Sequence, residues 1–177
     1  MFDLKKNGKI IWLMGPTSSG KSTLAKLLAD SLKTTHETVI HFDGDEVRDY
    51  FGENFGFEGA NRFLVVKTIV KLANKTSEAG MTTIVSALTA NDEARKYLYE
   101  KCKNLFLIYV KCSIEECSRR DPKGLYMKAR LGEIDTLIGY NSCYKPPEHP
   151  DLVVNSEIEE PEICVQKILS AVAAENG

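Results

Sequence analysis

The stretch Gly15-Pro16-Thr17-Ser18-Ser19-Gly20-Lys21-Ser22 fits G-x-x-x-x-G-K-[ST], a phosphate-binding loop, and its flanks decide the fold. The glycines let the backbone curl close to a polyanion. The curl turns successive N–H groups inward, into a nest for phosphate oxygens. Lys21 adds a cation that reaches the outer phosphates, and Ser22 offers a hydroxyl to Mg²⁺. The helix expected to open near Lys21 aims its positive end at the same place. Residues 9–14, Lys-Ile-Ile-Trp-Leu-Met, read as a short buried strand. Downstream, apolar residues at 24, 27, 28 and 32 have helical spacing. Strand, loop and helix thus stand in the order the motif requires; without those flanks the same residues would be an ordinary glycine-containing turn.

Working outward, residues 38–42 predict a second strand and 46–51 a short helix. Residues 52–59 hold three glycines and two phenylalanines, a loop with exposed aromatics. Apolar positions 63, 66, 69, 70 and 73 mark a long amphipathic helix over 60–79, stopped by Gly80. Residues 82–87 predict a third strand, and 91–103 a helix with Asn91 or Asp92 as N-cap. The continuous apolar run 105–110 argues for a strand covered on both faces, as in a parallel sheet. Ser113 and Glu116 form a capping-box pattern for the next helix. Residues 121–150 lose periodicity and are expected to be a mobile lid plus substrate loop. A short strand over 152–154 and a helix over 158–174, with Pro161 in its first turn, close the chain. The alternation implies an α/β fold: a P-loop NTPase-type, doubly wound parallel sheet with helices on both faces. One domain over 1–177 is expected, with residues 1–8 a loose leader.

A net charge of −2 over 177 residues gives no reason to expect a nucleic-acid binder. No apolar run approaches a membrane-spanning length, and residues 1–8 lack a secretion signal. Five cysteines without a C-x-x-C pair suggest reduced thiols in a cytoplasmic protein and make a zinc site improbable. Cys112 and Cys117 read as packing residues.

In such sheets, ligands sit at the carboxyl ends of the strands, where the loop, Asp43-Gly44-Asp45 and Ser86 are all expected. Asp43 and Asp45 are suited to hold Mg²⁺ with Ser22, and Asp45 to take a proton from an attacking hydroxyl; the alternative is that Asp45 merely caps the helix after it. Residues Gly15, Pro16, Thr17, Ser18, Ser19, Gly20, Lys21, Ser22 and Thr23 are expected around ATP. Arg48 and Arg62 can grip an anionic substrate with a bidentate fork. Phe55 and Phe57 can stack on a base, or staple their loop to the core. Arg119, Arg120 and Lys123 start the lid, where cations assist phosphoryl transfer. These residues imply an ATP- and Mg²⁺-dependent phosphotransferase acting on an anionic small molecule, with Lys21, Asp43 and Asp45 at the chemistry.

The chain resembles the adenylylsulfate kinase family over about residues 11–155. The resemblance is carried by Arg120-Asp121-Pro122-Lys123-Gly124-Leu125-Tyr126, by Lys128-Ala129-Arg130 and Gly132-Glu133-Ile134, and by Asp43-Gly44-Asp45-x-Val47-Arg48, Gly56-Phe57 and Ser86-Ala87. Tyr144, Pro146 and Pro150 fall where that family has a Pro/Tyr substrate loop. The resemblance implies 3′-phosphorylation of adenosine 5′-phosphosulfate by MgATP. It implies Asp45 as the catalytic aspartate, Arg48, Arg62, Ala87, Lys123, Gly124 and Leu125 on the substrate side, Phe57 against the base, Ser86 as a serine phosphorylated in some members, and a homodimer. Departures lie where the substrate should be. Val65 replaces an asparagine, Leu137 replaces the second sandwiching phenylalanine, and Leu88-Thr89-Ala90-Asn91 replaces F-I-S-P. Relatives in capsule pathways phosphorylate cytidine diphosphoramidate, and these departures point the expected acceptor there. Adenosine 5′-phosphosulfate is the alternative, a non-catalytic nucleotide-sensing module a remote one.

Overall fold

In β1 (Ile10–Met14) all five side chains are buried, and strand alternation divides them between two cores. The structure is a computed structural model describing residues 7–52 and 56–175. Ile11 and Leu13 face a core built with α1 (Lys21–Thr34) and α7 (Pro161–Glu175). Ile10, Trp12 and Met14 face a second core built with α3 (Gly59–Glu78) and α4 (Asp92–Lys101). A strand buried on both faces is what the unbroken apolar run requires. On α1 the buried stripe is Leu24, Ala25, Leu28, Ala29 and Leu32. Each fully buried leucine there contributes about 1.5–3 kcal/mol.

Five strands form one parallel sheet, ordered β2-β3-β1-β4-β5. The others are β2 (Val39–Asp43), β3 (Thr82–Ala87), β4 (Leu105–Lys111) and β5 (Leu152–Asn155). Because all run the same way, the five loops that leave their carboxyl ends gather on one side of the molecule. The doubly wound fold anticipated from the alternation is the one found.

Four expectations are corrected. Residues 121–150 are not irregular throughout: α6 (Leu125–Arg130) forms inside them, after α5 (Ile114–Arg120). The Asp121 carboxylate accepts from Tyr126 N at 3.1 Å and Met127 N at 2.9 Å, capping α6 from four residues upstream. The last helix begins at Pro161 rather than 158, with proline in the first turn where its missing N–H costs nothing. The short helix α2 (Gly44–Asp49) is capped by Asp43, not by Asp45. Ser113 caps α5 through Glu116 N, but the Glu116 carboxylate turns to Arg119 and Arg120 instead of closing the box. Phe55 and the first six residues of the leader lie outside the described residues. No described helix is long and apolar enough to cross a membrane.

Candidate active site

The phosphate loop closes tightly at both ends. A Cβ on Gly15 would stand 2.5 Å from the Val110 carbonyl, and Gly20 has φ 89°, a conformation that favours glycine. Ser19 is fully buried and its carbonyl accepts from Ser156 Oγ at 2.7 Å. Lys21 Nζ donates back to the Pro16 carbonyl at 2.6 Å. Burial lowers Lys21 to about 8, although Asp45, Cys117 and Asp43 pull the other way. The Lys21 ammonium thus rests on one neutral carbonyl.

A cleft of about 700 Å³ opens in front of the loop. Thr17, Ser18, Gly20, Lys21, Ser22 and Thr23 line it, as do Arg119, Arg120 and Lys123. So do Asp43, Asp45, Arg48, Phe57, Arg62, Val65, Ser86, Ala87, Leu88, Leu125 and Leu137. Four residues expected at the site stand behind the lining. Gly15, Pro16 and Ser19 form the underside of the loop, and Gly124 supplies the left-handed turn (φ 65°) before α6. The sequence reading missed the opposite wall, Ser156–Pro161, which follows β5. No motif marks it; the rule that ligands sit at strand carboxyl ends would have found it.

Asp43 is the hub of the hydroxyls. Its Oδ2 accepts from Ser22 Oγ at 2.5 Å and Ser86 Oγ at 2.7 Å, and its Oδ1 accepts from Asp45 N at 2.9 Å. Burial alone would raise its pKa, but these hydrogen bonds outweigh that and hold it below the usual carboxylate value. His41 Nε2 lies 2.9 Å from Ser86 Oγ, and burial lowers that imidazole. Across the cleft, Asp45 Oδ2 meets Lys123 Nζ of the lid at 2.5 Å. Both side chains are more than half exposed, so the pair adds little to the stability of the fold.

At the other end, Arg48 and Arg62 hold the aromatic loop. Arg48 donates to the Gly56 carbonyl at 2.9 Å, and its guanidinium lies 4.4 Å from the Phe57 ring centre. Arg62 donates to the Phe57 carbonyl and to the Thr136 carbonyl, each at 2.6 Å, tying α3 to the segment before Leu137. Burial lowers both guanidinium pKa values. Phe57 is 48% exposed, and the Arg62 guanidinium also lies over its ring, 5.8 Å from the centre. Val65 and Leu137 are buried. Leu137 packs in a third, small core with Cys112, Cys117, Tyr126 and Ala129, under the lid. Arg119 and Arg120 both bind Glu116, and their hydrogen bonds pull it down to about 2.

Known proteins resemble the chain in sequence and in fold. The model of the family described as adenylylsulphate kinase matches residues 7–155. The adenylyl-sulfate kinase of Oceanobacillus iheyensis is 36% identical over 162 residues, 90% of this chain and 81% of that protein. The cytidine diphosphoramidate kinase of Campylobacter jejuni is 34% identical over 170 residues, 93% of this chain and 99% of that protein. The structure of the Mycobacterium tuberculosis APS kinase in complex with AMPPNP and APS superposes with a TM-score of 0.87 at 30% identity, covering 94% of this chain and 98% of that one.

Proposed function

The chain belongs to the adenylylsulphate kinase family, and from that premise we propose that it transfers the ATP γ-phosphate to the 3′-hydroxyl of adenosine 5′-phosphosulfate. The observation that carries the reaction type is one cleft holding Lys21 and Ser22 beside Asp43, with Asp45 facing the lid's Lys123. The phosphate loop and the cations of Arg119 and Arg120 receive ATP at one end. Arg48, Arg62 and Phe57 receive the acceptor at the other. The acceptor hydroxyl gives its proton to an Asp45 oxygen as its bond to phosphorus forms and the bond to the ADP oxygen breaks. Lys21 leaves the Pro16 carbonyl and donates to the phosphates, stabilising charge that spreads over the transferred group.

The residues also fit magnesium. Ser22 and Asp43 bring hard oxygens together beside the loop, and they are few, as suits an ion that keeps most of its water. Ser22 and Asp43 would hold it, with Asp45 at the margin; when bound, it neutralises charge between the outer phosphates. A single kinase domain acting as a cytoplasmic homodimer belongs to the same proposal, and sedimentation of a monomer at working concentration would remove the dimer from it.

Most of the named relatives are adenylyl-sulfate kinases, which reverses the order of acceptors expected from the sequence. Cytidine diphosphoramidate remains the second reading. It is favoured by Leu137, a buried aliphatic wall where a purine would gain more from an aromatic one, and by the 34% identical Campylobacter relative. A coupled ATP-consumption assay with both nucleotides in parallel separates the two. Turnover of adenosine 5′-phosphosulfate is expected; turnover of the cytidine compound alone would overturn that choice. Asp45→Asn is expected to bind ADP normally in calorimetry and to lose about 10²–10⁴ in kcat. Full activity in that variant would remove the mechanism.

A further inference from the structure

Arg95, on the inner side of α4, is only 8% exposed. Its Nε donates to the Thr89 carbonyl at 2.8 Å. One terminal nitrogen donates to the Pro146 carbonyl at 3.2 Å, the other to the Lys145 carbonyl. None of these partners is a carboxylate, and a guanidinium is costly to bury on neutral groups alone. What it offers in return is a rigid planar fork, able to hold carbonyls of two separate segments at once.

One of those segments is strained and faces the cleft. Thr89 is buried with φ 45°, unfavourable for a β-branched residue, and such a conformation persists only where its surroundings over-determine it. Trp12 Nε1 donates to Thr89 Oγ1 at 3.1 Å from one side, and Arg95 binds the Thr89 carbonyl from the other. Leu88, Thr89, Ala90 and Asn91 line the cleft on the side of α3 and α4, away from the Ser156–Pro161 wall. The other segment, with Tyr144 and Pro146, is the Pro/Tyr loop expected to touch substrate. Among the described residues that line the cleft, none comes from 144–147. The Tyr144 and Tyr109 rings stack with centres 6.5 Å apart, and the Arg95 guanidinium lies 5.7 Å from the centre of the Tyr144 ring.

We propose that Arg95 is a positioning residue for the acceptor: it locks the strained wall 88–91 to the loop 144–147, so that the loop shapes the acceptor pocket without entering it. This rests on the kinase reading above. ATP binding is independent of the lock, because the phosphate loop and the Ser156–Pro161 wall share no hydrogen bond with Arg95.

The test is steady-state kinetics of Arg95→Met and Arg95→Lys with ATP and whichever nucleotide the wild-type protein turns over. The KM for the acceptor is expected to rise roughly tenfold or more in Arg95→Met, with the KM for ATP within about twofold. Arg95→Lys, which keeps the charge but not the fork, is expected to fall between. Ile168→Ala, in the core under α7, is a control for lost stability: its melting temperature falls while the acceptor KM stays. The fluorescence of Trp12, the single tryptophan, gives a readout that needs no acceptor. Trp12 donates to Thr89, so its emission is expected to shift in Arg95→Met, and an unchanged spectrum overturns the lock. If Arg95→Met does not fold, Arg95→Lys carries the test, and an unmoved acceptor KM there overturns the inference. Wild-type protein inert toward both nucleotides would overturn the proposed function, whereas normal wild-type turnover with an unmoved acceptor KM in Arg95→Met overturns this inference alone.

Discussion

At the scale of the residue, Lys21 shows how the site is built around what it will bind. Burial lowers its pKa to about 8, so near pH 8.5 most of the ligand-free protein carries it neutral. Phosphate oxygens favour the ammonium and raise it again. Nucleotide binding must therefore take up a proton in that pH range. Titration with ADP in two buffers of different ionisation enthalpy is expected to show uptake of roughly half a proton or more at pH 8.5. The uptake should shrink as pH falls toward 7, where Lys21 is already protonated. No uptake at pH 8.5 would mean that the cation is not held short of its natural charge. None of this is legible in the motif, which names Lys21 but not its burial. In the same way Val65 and Leu137 are visible in the sequence as departures, but only packing shows that both belong to cores as well as lining the cleft.

At the scale of the element, the segment 121–137 is the instructive case. Its prolines and glycines hide a helix of six residues, too short for periodicity to reveal. The helix forms because Asp121, itself at φ 25° after α5, turns its carboxylate onto two backbone N–H groups of α6. Tyr126, one of those residues, donates from its hydroxyl to the Thr17 carbonyl at 3.2 Å and so ties the lid to the phosphate loop. Asp121→Ala removes both acceptors, a loss of about 1 kcal/mol by analogy with other helix caps. Faster proteolytic cleavage within residues 121–137 is expected, with the global melting temperature moved by less than about 4 °C. Equal cleavage rates in the two proteins would show that the third core, not the cap, holds α6. By contrast the strands and the long helices were legible to within two or three residues. Their signal is periodic and repeated, whereas the cap of α6 and the grip of Arg95 each depend on one contact between segments distant in sequence.

At the scale of the whole molecule, a parallel sheet sealed by two separate cores brings every functional loop to one end and leaves that end under-satisfied. Lys21 is the clearest cost: a half-buried cation set against one neutral carbonyl. Lys21→Met keeps the bulk and removes the charge. The ligand-free variant is expected to melt higher than wild type, by about 0.5–2 kcal/mol of stability, the gain typical when a functional strain is relieved. Roughly 2–4 °C per kcal/mol applies to a chain of this size. Wild type should gain about 2.7 kcal/mol from ADP at a hundred times its Kd, and the variant little of it. The two melting curves should therefore cross: the variant more stable alone, the wild type more stable with ADP. A variant that melts lower in both conditions would mean that the Pro16 carbonyl and the charges of Asp43 and Asp45 already outweigh burial, so that the loop is stable in its own right rather than held ready for a polyanion.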